Sequence, residues 1–514
     1  MRRLSPPAIF RRSAVSFTLV FAVLGLLTVL WSFASPLMSV PDESAHAIRA
    51  ASVAQGQLLG NSSGQQSEQS VVTVPGYIAD LRAQECYAHD AAAPAACAPG
   101  VDAGDTQLRQ AETSAGNYNP VYYLFVGLPT LLLSGAPAIY GMRILSGLIG
   151  VAFLASALQA AGRLGKPKWP LAAGYVAITP MVLFLNASIN PNALEIAAAA
   201  AFFMNTCVAF EKYRTLSDVK INIIMVAVSG AALANTRPVS LLWLALAAAA
   251  VVLAYGFRPL LPILRDRLSQ AMIVLLGLSC AFSLAWLVIA DSFKSLLGDP
   301  VDLAPDTAAA IMFDRTFDYV SGYVGVMGWL DTPLPAGVYM FWHLLMGAVL
   351  LTGLSARPVR GRFGVYLLVV AVLVVPPVMQ AQVIQSLGWI WQGRYLLALV
   401  VMLLLACGVA FRFHSFPSSP WARGAAKWLL GGAVAAHGFA FVYTLRRYTV
   451  GIQDTVRWNE MFHPAWQPPF TWQLLTVAYF LVLLVGAVLV YRQLFAPALA
   501  SGRKEHREPA VAAD

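Results

Sequence analysis

The amino-acid sequence predicts an all-α protein that crosses a membrane about twelve times. Of its 514 residues, 58% are hydrophobic and only 11% are charged, whereas a soluble domain is about a quarter charged. Apolar runs recur along nearly the whole chain. The net charge of +9 could indicate nucleic-acid binding, but the basic residues fall in short clusters between apolar runs, as in membrane proteins. We therefore expect membrane lipid, and no nucleic acid, among its partners.

The predicted spans follow the apolar runs in order. They are approximately 14–38, 140–162, 169–186, 191–211, 219–235, 238–256, 270–291, 337–354, 363–386, 395–411, 428–445 and 472–491. With both termini in the cytoplasm, most of the 34 basic residues fall in inner segments, and most of the 25 acidic residues lie outside or at the outer border. This distribution obeys the positive-inside rule and predicts a multi-pass plasma-membrane protein.

The topology divides the chain into a cytoplasmic N-terminus (1–13), a membrane domain (14–491) and a polar cytoplasmic tail (492–514). Within the membrane domain it predicts three outer loops, at 39–139, 292–336 and 446–471.

Two apolar segments allow alternatives. Residues 120–133 are too short for a span of about 20 residues, so we expect an interfacial or re-entrant helix in the first outer loop. The first run, 14–38, is either an uncleaved span or a signal peptide, and its length favours the span.

The five cysteines divide by location. Cys86 and Cys97 lie in the large outer loop, where an oxidising compartment would allow a disulfide. Cys207, Cys280 and Cys407 fall within spans and are expected to be packing residues. The spacing of His and Cys residues indicates no metal site.

The stretch 41–49 (PDESAHAIR) directly follows the first span. Ionisable groups at a membrane border are costly unless they are paired or used, which makes this stretch a candidate site. In a helix, Asp42, His46 and Arg49 share one face, with Glu43 one step round. The alternative is a helix N-terminus whose acids suit the helix dipole. The stretch alone does not decide between these.

Other distinctive polar groups fall at further outer turns. Helix termination, snorkelling and aromatic belts explain part of this pattern, but they do not explain why such groups gather on one face of the membrane. With Asp42, Glu43 and His46 as catalytic candidates, the substrate-binding candidates are Arg49, Tyr122, Asn190, Asn192, Glu195, Arg237, Trp329, Asp331, Gln392, Arg394 and Tyr395.

Three motifs carry a family resemblance: residues 41–49, GWLDTP at 328–333 and QGRY at 392–395. In this order they resemble the bacterial predicted membrane proteins grouped as domain of unknown function 2142, over roughly 14–450. That family is similar to the GT-C integral-membrane glycosyltransferases. These share an acidic pair after the first span, a large first outer loop with interfacial helices and a polyprenyl-phosphate sugar donor.

The resemblance implies an inverting glycosyltransferase of cell-envelope glycan assembly, whose site faces outward. The donor would be a polyprenyl-phosphate-linked sugar and the acceptor a glycan, a lipid or a protein. Asp42 or Glu43 would act as general base, with its charge moderated by His46 or Arg49.

The remaining candidates take binding roles in this scheme. Arg237 and Arg394 would stabilise the leaving phosphate, and Trp329, Trp391 and Tyr395 would stack on the sugar or the isoprenoid. Asp331 and Glu195 would orient the sugar or hold a divalent cation, although no cofactor is required by the sequence.

Two other functional classes fit the same spans. A transporter or flippase of envelope precursors also places charges within the membrane, although the chain lacks a convincing internal repeat. A non-catalytic subunit would use the outer loops for docking. The sequence contains no phosphate-binding loop, nucleotide fingerprint or nucleophile elbow, which argues against a nucleotide-driven enzyme.

Overall fold

The computed structural model describes residues 15–62, 70–291, 300–453, 455 and 457–495. The predicted N-terminal segment 1–13 and residues 496–514 of the predicted tail lie outside these ranges. So do residues 14, 63–69, 292–299, 454 and 456.

Helices dominate the described part of the chain. In order they are α1 Phe17–Ala34, α2 Glu43–Ala54, α3 Gly76–Ala79, α4 Pro120–Val126, α5 Gly135–Arg163, α6 Lys168–Ala177, α7 Pro180–Asn186, α8 Pro191–Glu211, α9 Lys220–Ala234, α10 Ser240–Tyr255, α11 Leu260–Arg265, α12 Arg267–Ile289, α13 Pro305–Asp314, α14 Ser321–Val324, α15 Ala336–Ser355, α16 Arg360–Leu387, α17 Leu397–Phe411, α18 Pro420–Thr449 and α19 Trp472–Phe495.

Within the described ranges, ten helical segments are long and apolar enough to span a membrane: α1, α5, α8, α9, α12 and α15 to α19, with α9 and α17 each extended by a preceding 3-10 turn. Helices α6 and α7 bend by 65° at their junction and would make an eleventh as one broken span. The remaining predicted span, 238–256, corresponds to α10, which has 16 residues. The predicted all-α polytopic fold is confirmed.

The apolar segment 120–133 does not form a spanning helix. It contains α4 and a 3-10 turn over Leu128–Leu131. Leu128, Leu131 and Leu132 are exposed on this segment, which suits an interfacial element whose leucines face lipid.

Helix α8 lies at the centre of the bundle. The apolar stretch of α8 is entirely buried. The helix packs against α5, α9, α10 and α17. Five consecutive alanines, 197–201, give it a thin profile, and small residues allow membrane helices to approach closely. The bundle therefore has a solid centre.

Small strands organise the segment between α2 and α4. Strands β1 (Asn61–Ser62), β2 (Ser70–Pro75) and β3 (Leu108–Thr113) form an antiparallel sheet in the order β1-β2-β3. The sheet packs against α2. A separate hairpin pairs β4 (Val326–Met327) with β5 (Thr332–Pro333).

The excursion between β2 and β3 is fastened at two points. Cys86 and Cys97 form a disulfide within it. Arg447, near the end of α18, is fully buried and donates hydrogen bonds to the backbone oxygens of Tyr87, Asp90 and Ala93. A cation from a membrane helix thus anchors this part of the first loop.

A glycine on α5 permits close contact with the end of α7. A Cβ atom at Gly147 would lie 2.4 Å from the backbone oxygen of Asn186 and 2.6 Å from Cγ2 of Thr28. Both distances are shorter than side chains tolerate, so α5 can take this position beside α1 and α7 only with glycine here.

Gly147→Ala is therefore expected to lower the free energy of unfolding by about 1–3 kcal/mol through overpacking. Thermal unfolding of the detergent-purified protein measures this. The matched control is Gly277→Ala on α12, where a Cβ would meet nothing within 4 Å; helix propensity there predicts stabilisation of up to about 1 kcal/mol. Equal effects of the two substitutions would contradict the close-contact argument.

Candidate functional site

The turn before α2 holds Asp42 in an unusual conformation. Its φ is 68°, in the left-handed region, and its side chain makes no capping hydrogen bond to the helix. An N-cap aspartate normally adopts extended backbone and accepts from the second or third helical N–H. The capping explanation therefore does not account for this carboxylate. A left-handed aspartate costs about 1–2 kcal/mol, which the surrounding structure must offset.

The Asp42 carboxylate points to a cation from a distant part of the chain. Its Oδ2 accepts a hydrogen bond of 3.0 Å from Nη2 of Arg394. The Asp42 side chain is 51% exposed, whereas that of Arg394 is 1% exposed. The pair joins the end of the first span to the start of α17 and leaves the carboxylate open on one side.

Glu43 has the opposite environment, although it is the next residue. Its oxygens accept 2.7 Å hydrogen bonds from Nε and Nη2 of Arg143, and Oε1 also accepts from the backbone N–H of Ile189. Both side chains of the pair are completely buried. Glu43 is thus enclosed and committed to structure, so of the two acids the geometry favours Asp42 for contact with a substrate.

Arg143 is a residue that the sequence analysis missed. Besides Glu43, it donates to the backbone oxygens of Ser32, Ser35 and Pro36 where α1 ends. The sequence did contain an indication of its importance: Arg143 is an arginine within an otherwise apolar run at 139–158. Ionised side chains inside a span usually have a partner or a function.

Arg49, predicted as an alternative to His46 for moderating the acidic pair, donates its hydrogen bonds elsewhere. Its guanidinium donates to the backbone oxygens of Gln57, Leu58 and Tyr118. Burial lowers the pKa of Arg49 to about 10, which leaves it charged at neutral pH. The i, i+7 spacing predicted that Arg49 and Asp42 share one helical face. In the structure Arg49 instead binds the segments that follow α2 and precede α4.

His46 lies close to Asp42 and contacts the first-loop aromatics. Its Nδ1 is 2.9 Å from the hydroxyl of Tyr123. Burial lowers the pKa of His46 from 6.5 to about 4, with Asp42 opposing the shift. His46 is therefore neutral at pH 7 and able to donate from one ring nitrogen while accepting at the other.

A cavity of about 260 Å³ opens beside Asp42 and His46. Its lining includes a polar set of side chains and an apolar set, and most of the apolar set comes from the end of α16 and the segment after it. The polar lining residues, which we call the polar wall, are Asp42, His46, Ser114, Tyr118, Asn190, Asn192, Arg237 and Tyr395, and the apolar ones, which we call the apolar wall, are Val239, Met379, Val383, Leu387, Ile390 and Trp391.

Two guanidinium groups lie against one aromatic ring in this region. The Cζ atoms of Arg237 and Arg394 are 4.4 Å and 5.3 Å from the centroid of the Tyr395 ring. Arg237 lines the cavity, and Arg394 contacts it through Asp42. Each of these guanidinium groups also pairs with a carboxylate, Arg237 with Glu195 and Arg394 with Asp42.

Asn192 and Glu195 support Arg237. Nη1 of Arg237 donates to Oδ1 of Asn192 at 3.0 Å and lies 3.7 Å from Oε2 of Glu195. Glu195 is fully buried and accepts a 2.6 Å hydrogen bond from Ser240. Glu195 is absent from the cavity lining and pairs with Arg237, so its contact with a substrate stays a prediction.

Asn190 has a mainly local role. It caps α8, its side chain accepting from the backbone N–H of Asn192, and Pro191 occupies the first helical position. This is the usual beginning of a helix. Its Nδ2 also reaches the backbone oxygen of Pro41, so the cap of α8 supports the turn that carries Asp42.

The structure does not bring the motif at 328–333 into the cavity. Trp329 donates from Nε1 to the backbone oxygen of Met38, and Asp331 accepts from Arg447 at 2.9 Å. These residues form the β4–β5 hairpin beside α18. In this structure the polar groups of Trp329 and Asp331 are engaged by protein and hold the hairpin, and their role in substrate binding stays a prediction.

Tyr122 and Gln392 are also outside the cavity wall. The Tyr122 hydroxyl is buried and 2.8 Å from Oγ of Ser146. Gln392 precedes the 3-10 turn Gly393–Leu396. A Cβ at Gly393 would lie 2.5 Å from the backbone oxygen of Tyr319, so the glycine allows the turn that presents Arg394 and Tyr395.

Asp331 and Glu195, predicted to orient the sugar or to hold a divalent cation, lie in separate ion pairs. Each is engaged by a different arginine, Arg447 and Arg237 respectively. Among the described residues, no group of three or more His, Cys, Asp or Glu side chains is arranged to hold a metal ion.

Glu43→Gln is expected to lower the free energy of unfolding by about 3–5 kcal/mol, because it leaves the buried Arg143 without a counter-charge. Thermal unfolding in detergent measures the loss. The control is Glu112→Gln, an exposed position of β3, where an effect within about 0.5 kcal/mol is expected. A fully stable Glu43→Gln protein would show that the pair does not anchor α2.

The His46 environment predicts an acid-dependent loss of stability. The unfolded chain, with a histidine pKa near 6.5, binds more protons than the folded one until pH falls to about 4. The free energy of unfolding therefore falls by up to about 3 kcal/mol between pH 6.5 and pH 4, and this histidine causes no further fall below pH 4.

Unfolding curves of His46→Gln across this interval measure the contribution, and the variant should show a shallower pH dependence than the wild type. His463→Gln, at an exposed position, should behave as wild type. Parallel pH profiles for wild type and His46→Gln would contradict the buried neutral histidine.

Comparison with known proteins places the chain in a family. No curated protein matches it. One family model, described as a predicted membrane protein (DUF2142), matches residues 24–403. The matched region holds all three motifs and most of the cavity described above. The chain therefore belongs to the predicted membrane protein family DUF2142.

Proposed function

We propose that the protein is an inverting membrane glycosyltransferase with a polyprenyl-phosphate-linked sugar as donor. Its site would face the outside of the plasma membrane and serve cell-envelope glycan assembly, with a glycan, lipid or protein as acceptor. The observation that carries the proposal is the half-exposed Asp42 carboxylate, bound to Arg394 at the edge of a cavity that is lined by both polar and apolar side chains.

Asp42 has the properties required of a general base. Its strained backbone and its lack of a capping role indicate that the position is not selected for local stability. Its carboxylate has one oxygen engaged by Arg394 and retains exposed surface to meet an acceptor. Burial of the adjacent Glu43 supports assigning the chemistry to Asp42 alone.

The arginines at the cavity suit a phosphate. Arg237 lines the cavity and presents guanidinium donors, which match phosphate oxygens in geometry and remain ionised. Arg394 is buried behind Asp42 and would act on a phosphate through its charge. Asn192 and Glu195 hold Arg237 in place, so little side-chain freedom is lost when a phosphate binds. Such fixed cations are most effective where charge develops in a transition state.

The apolar wall suits an isoprenoid chain. Met379, Val383 and Leu387 recur on one face near the end of α16, and Ile390 and Trp391 continue the surface. A donor phosphate at Arg237 would leave its lipid against this surface, while Tyr395 and Trp391 offer rings on which the sugar can stack.

In the proposed reaction, an acceptor hydroxyl attacks the anomeric carbon from the face opposite the phosphate. The new carbon–oxygen bond forms as the bond between the anomeric carbon and the phosphate oxygen breaks. The electron pair of the broken bond leaves with the phosphate. Asp42 takes the hydroxyl proton, and Arg237 and Arg394 stabilise the departing charge. Neutral His46 positions the acceptor hydroxyl by hydrogen bonding.

One feature of the bundle favours this enzyme over a transporter. The fully buried α8 begins beside the cavity, at Asn190 and Asn192, and crosses the centre of the bundle. A transporter needs a path that opens alternately to both sides, whereas the packing of α8 supports a cavity reached from one side.

Asp42→Asn is expected to reduce sugar transfer by about 10²–10⁴-fold, because the amide cannot accept the proton. Membranes containing the protein are incubated with labelled polyprenyl-phosphate sugars and a cell-envelope acceptor fraction. Glu43→Gln, normalised for folded protein, should retain far more activity per molecule, and Asp102→Asn, an exposed acid of the same loop, should be unaffected.

Unchanged transfer in Asp42→Asn would overturn the base assignment. If the wild type transfers none of a panel of polyprenyl-linked hexoses, pentoses and amino sugars, the glycosyltransferase proposal itself is wrong. Equal losses in Asp42→Asn and Asp102→Asn would indicate a general effect on the loop and would also contradict the assignment of Asp42 as the base.

A further inference from the structure

A second, separate groove lies on the side of the bundle formed by α1, α18 and α19. Its volume is about 140 Å³, and its lining is mostly aliphatic. The walls come from Leu19–Leu27 of α1 and Leu483–Gln493 of α19. Asp42 follows the far end of α1, so this groove belongs to the opposite part of the bundle from the cavity described above.

The groove opens sideways rather than toward the protein centre. Leu19, on its wall, is 50% exposed. Its neighbours Leu26, Leu484 and Val488 are also exposed, as expected for side chains that face hydrocarbon in a membrane-spanning bundle. The natural occupant of an apolar groove in this position is therefore a lipid tail.

Basic side chains stand at one end of the groove. On α18 the lining residues Leu430, Val434 and His437 share a face, and Lys427 continues that face by one further turn. Its Nζ is 5.7 Å from the ring centroid of Tyr491 on α19.

Arg492 follows Tyr491 directly and lies three residues after Leu489, another lining residue. Both Lys427 and Arg492 are exposed, and neither forms an ion pair within the described part of the chain. The ends of α18 and α19 thus bring two solvent-facing cations to the mouth of an apolar groove.

We propose that this groove is a binding site for an anionic glycerophospholipid. One acyl chain lies between α1, α18 and α19, and the lipid phosphate and anionic headgroup lie at Lys427 and Arg492. Basic groups at the ends of membrane helices favour anionic headgroups by charge. The groove selects for a chain, and the cations select for the headgroup.

The test uses the full-length protein in detergent and two lipids with identical acyl chains, anionic phosphatidylglycerol and zwitterionic phosphatidylcholine. Native mass spectrometry measures binding, and lipid-dependent thermal stabilisation gives a second readout. The wild type should bind phosphatidylglycerol preferentially. Lys427→Ala with Arg492→Ala should weaken that binding by roughly fivefold for each cation removed and abolish the preference.

Gly486→Leu tests the groove itself. A Cβ there would lie 3.3 Å from Cγ1 of Val23 across the groove, so a leucine side chain occupies the space that the acyl chain needs. Binding of both lipids should fall. Lipid-free unfolding curves separate this effect from misfolding, since only the increment on lipid addition is compared.

The matched control removes two exposed cations from elements that do not line the groove, by Arg214→Ala with Lys220→Ala. It should keep the wild-type preference. Equal binding of the two lipids by the wild type, a preference that survives Lys427→Ala with Arg492→Ala, or undiminished binding of both lipids by Gly486→Leu would overturn the proposal. These outcomes do not depend on glycosyl transfer, because none of the substituted residues lines the proposed catalytic cavity.

Discussion

The buried ion pair between Glu43 and Arg143 is the interaction on which the site depends. Arg143 binds both oxygens of Glu43 and three backbone oxygens near the end of α1. Both side chains are completely buried, and a buried charge without a partner is strongly destabilising, so the two must meet. Their meeting fixes where the first span ends and where α2 begins, and it places Asp42 in the turn between them.

Two adjacent carboxylates acquire different properties from this arrangement. Glu43 turns into the bundle and has all its surface covered, whereas Asp42 turns outward, with its backbone in the left-handed region and half its side chain exposed. Environments that separate two acids in this manner are a recurrent feature of sites where only one acid reacts. The cost of the strained turn at Asp42 is offset by the neighbouring ion pair.

The remaining arginines illustrate how one residue type serves several purposes in a membrane protein. Arg447 and Arg49 are consumed in backbone contacts that hold the first loop. Arg237 and Arg394 lie against the Tyr395 ring and keep donors near the cavity. Partners, not burial alone, distinguish these roles, because all four side chains are largely enclosed.

The sequence by itself determined which segments of the chain form helices and in what order they occur. Apolar length decides which segments can span a bilayer, and the bilayer leaves few alternatives for a backbone that must satisfy its own hydrogen bonds. The predicted spans thus correspond to helices, and residues 120–133 form a short helix and a 3-10 turn instead of a further span. Tertiary structure alone decided which polar side chains share a cavity. Asp42, Arg237 and Tyr395 converge there, whereas Asp331 and Glu43 are claimed by Arg447 and Arg143, because each buried charge takes the partner that the packed helices bring within reach.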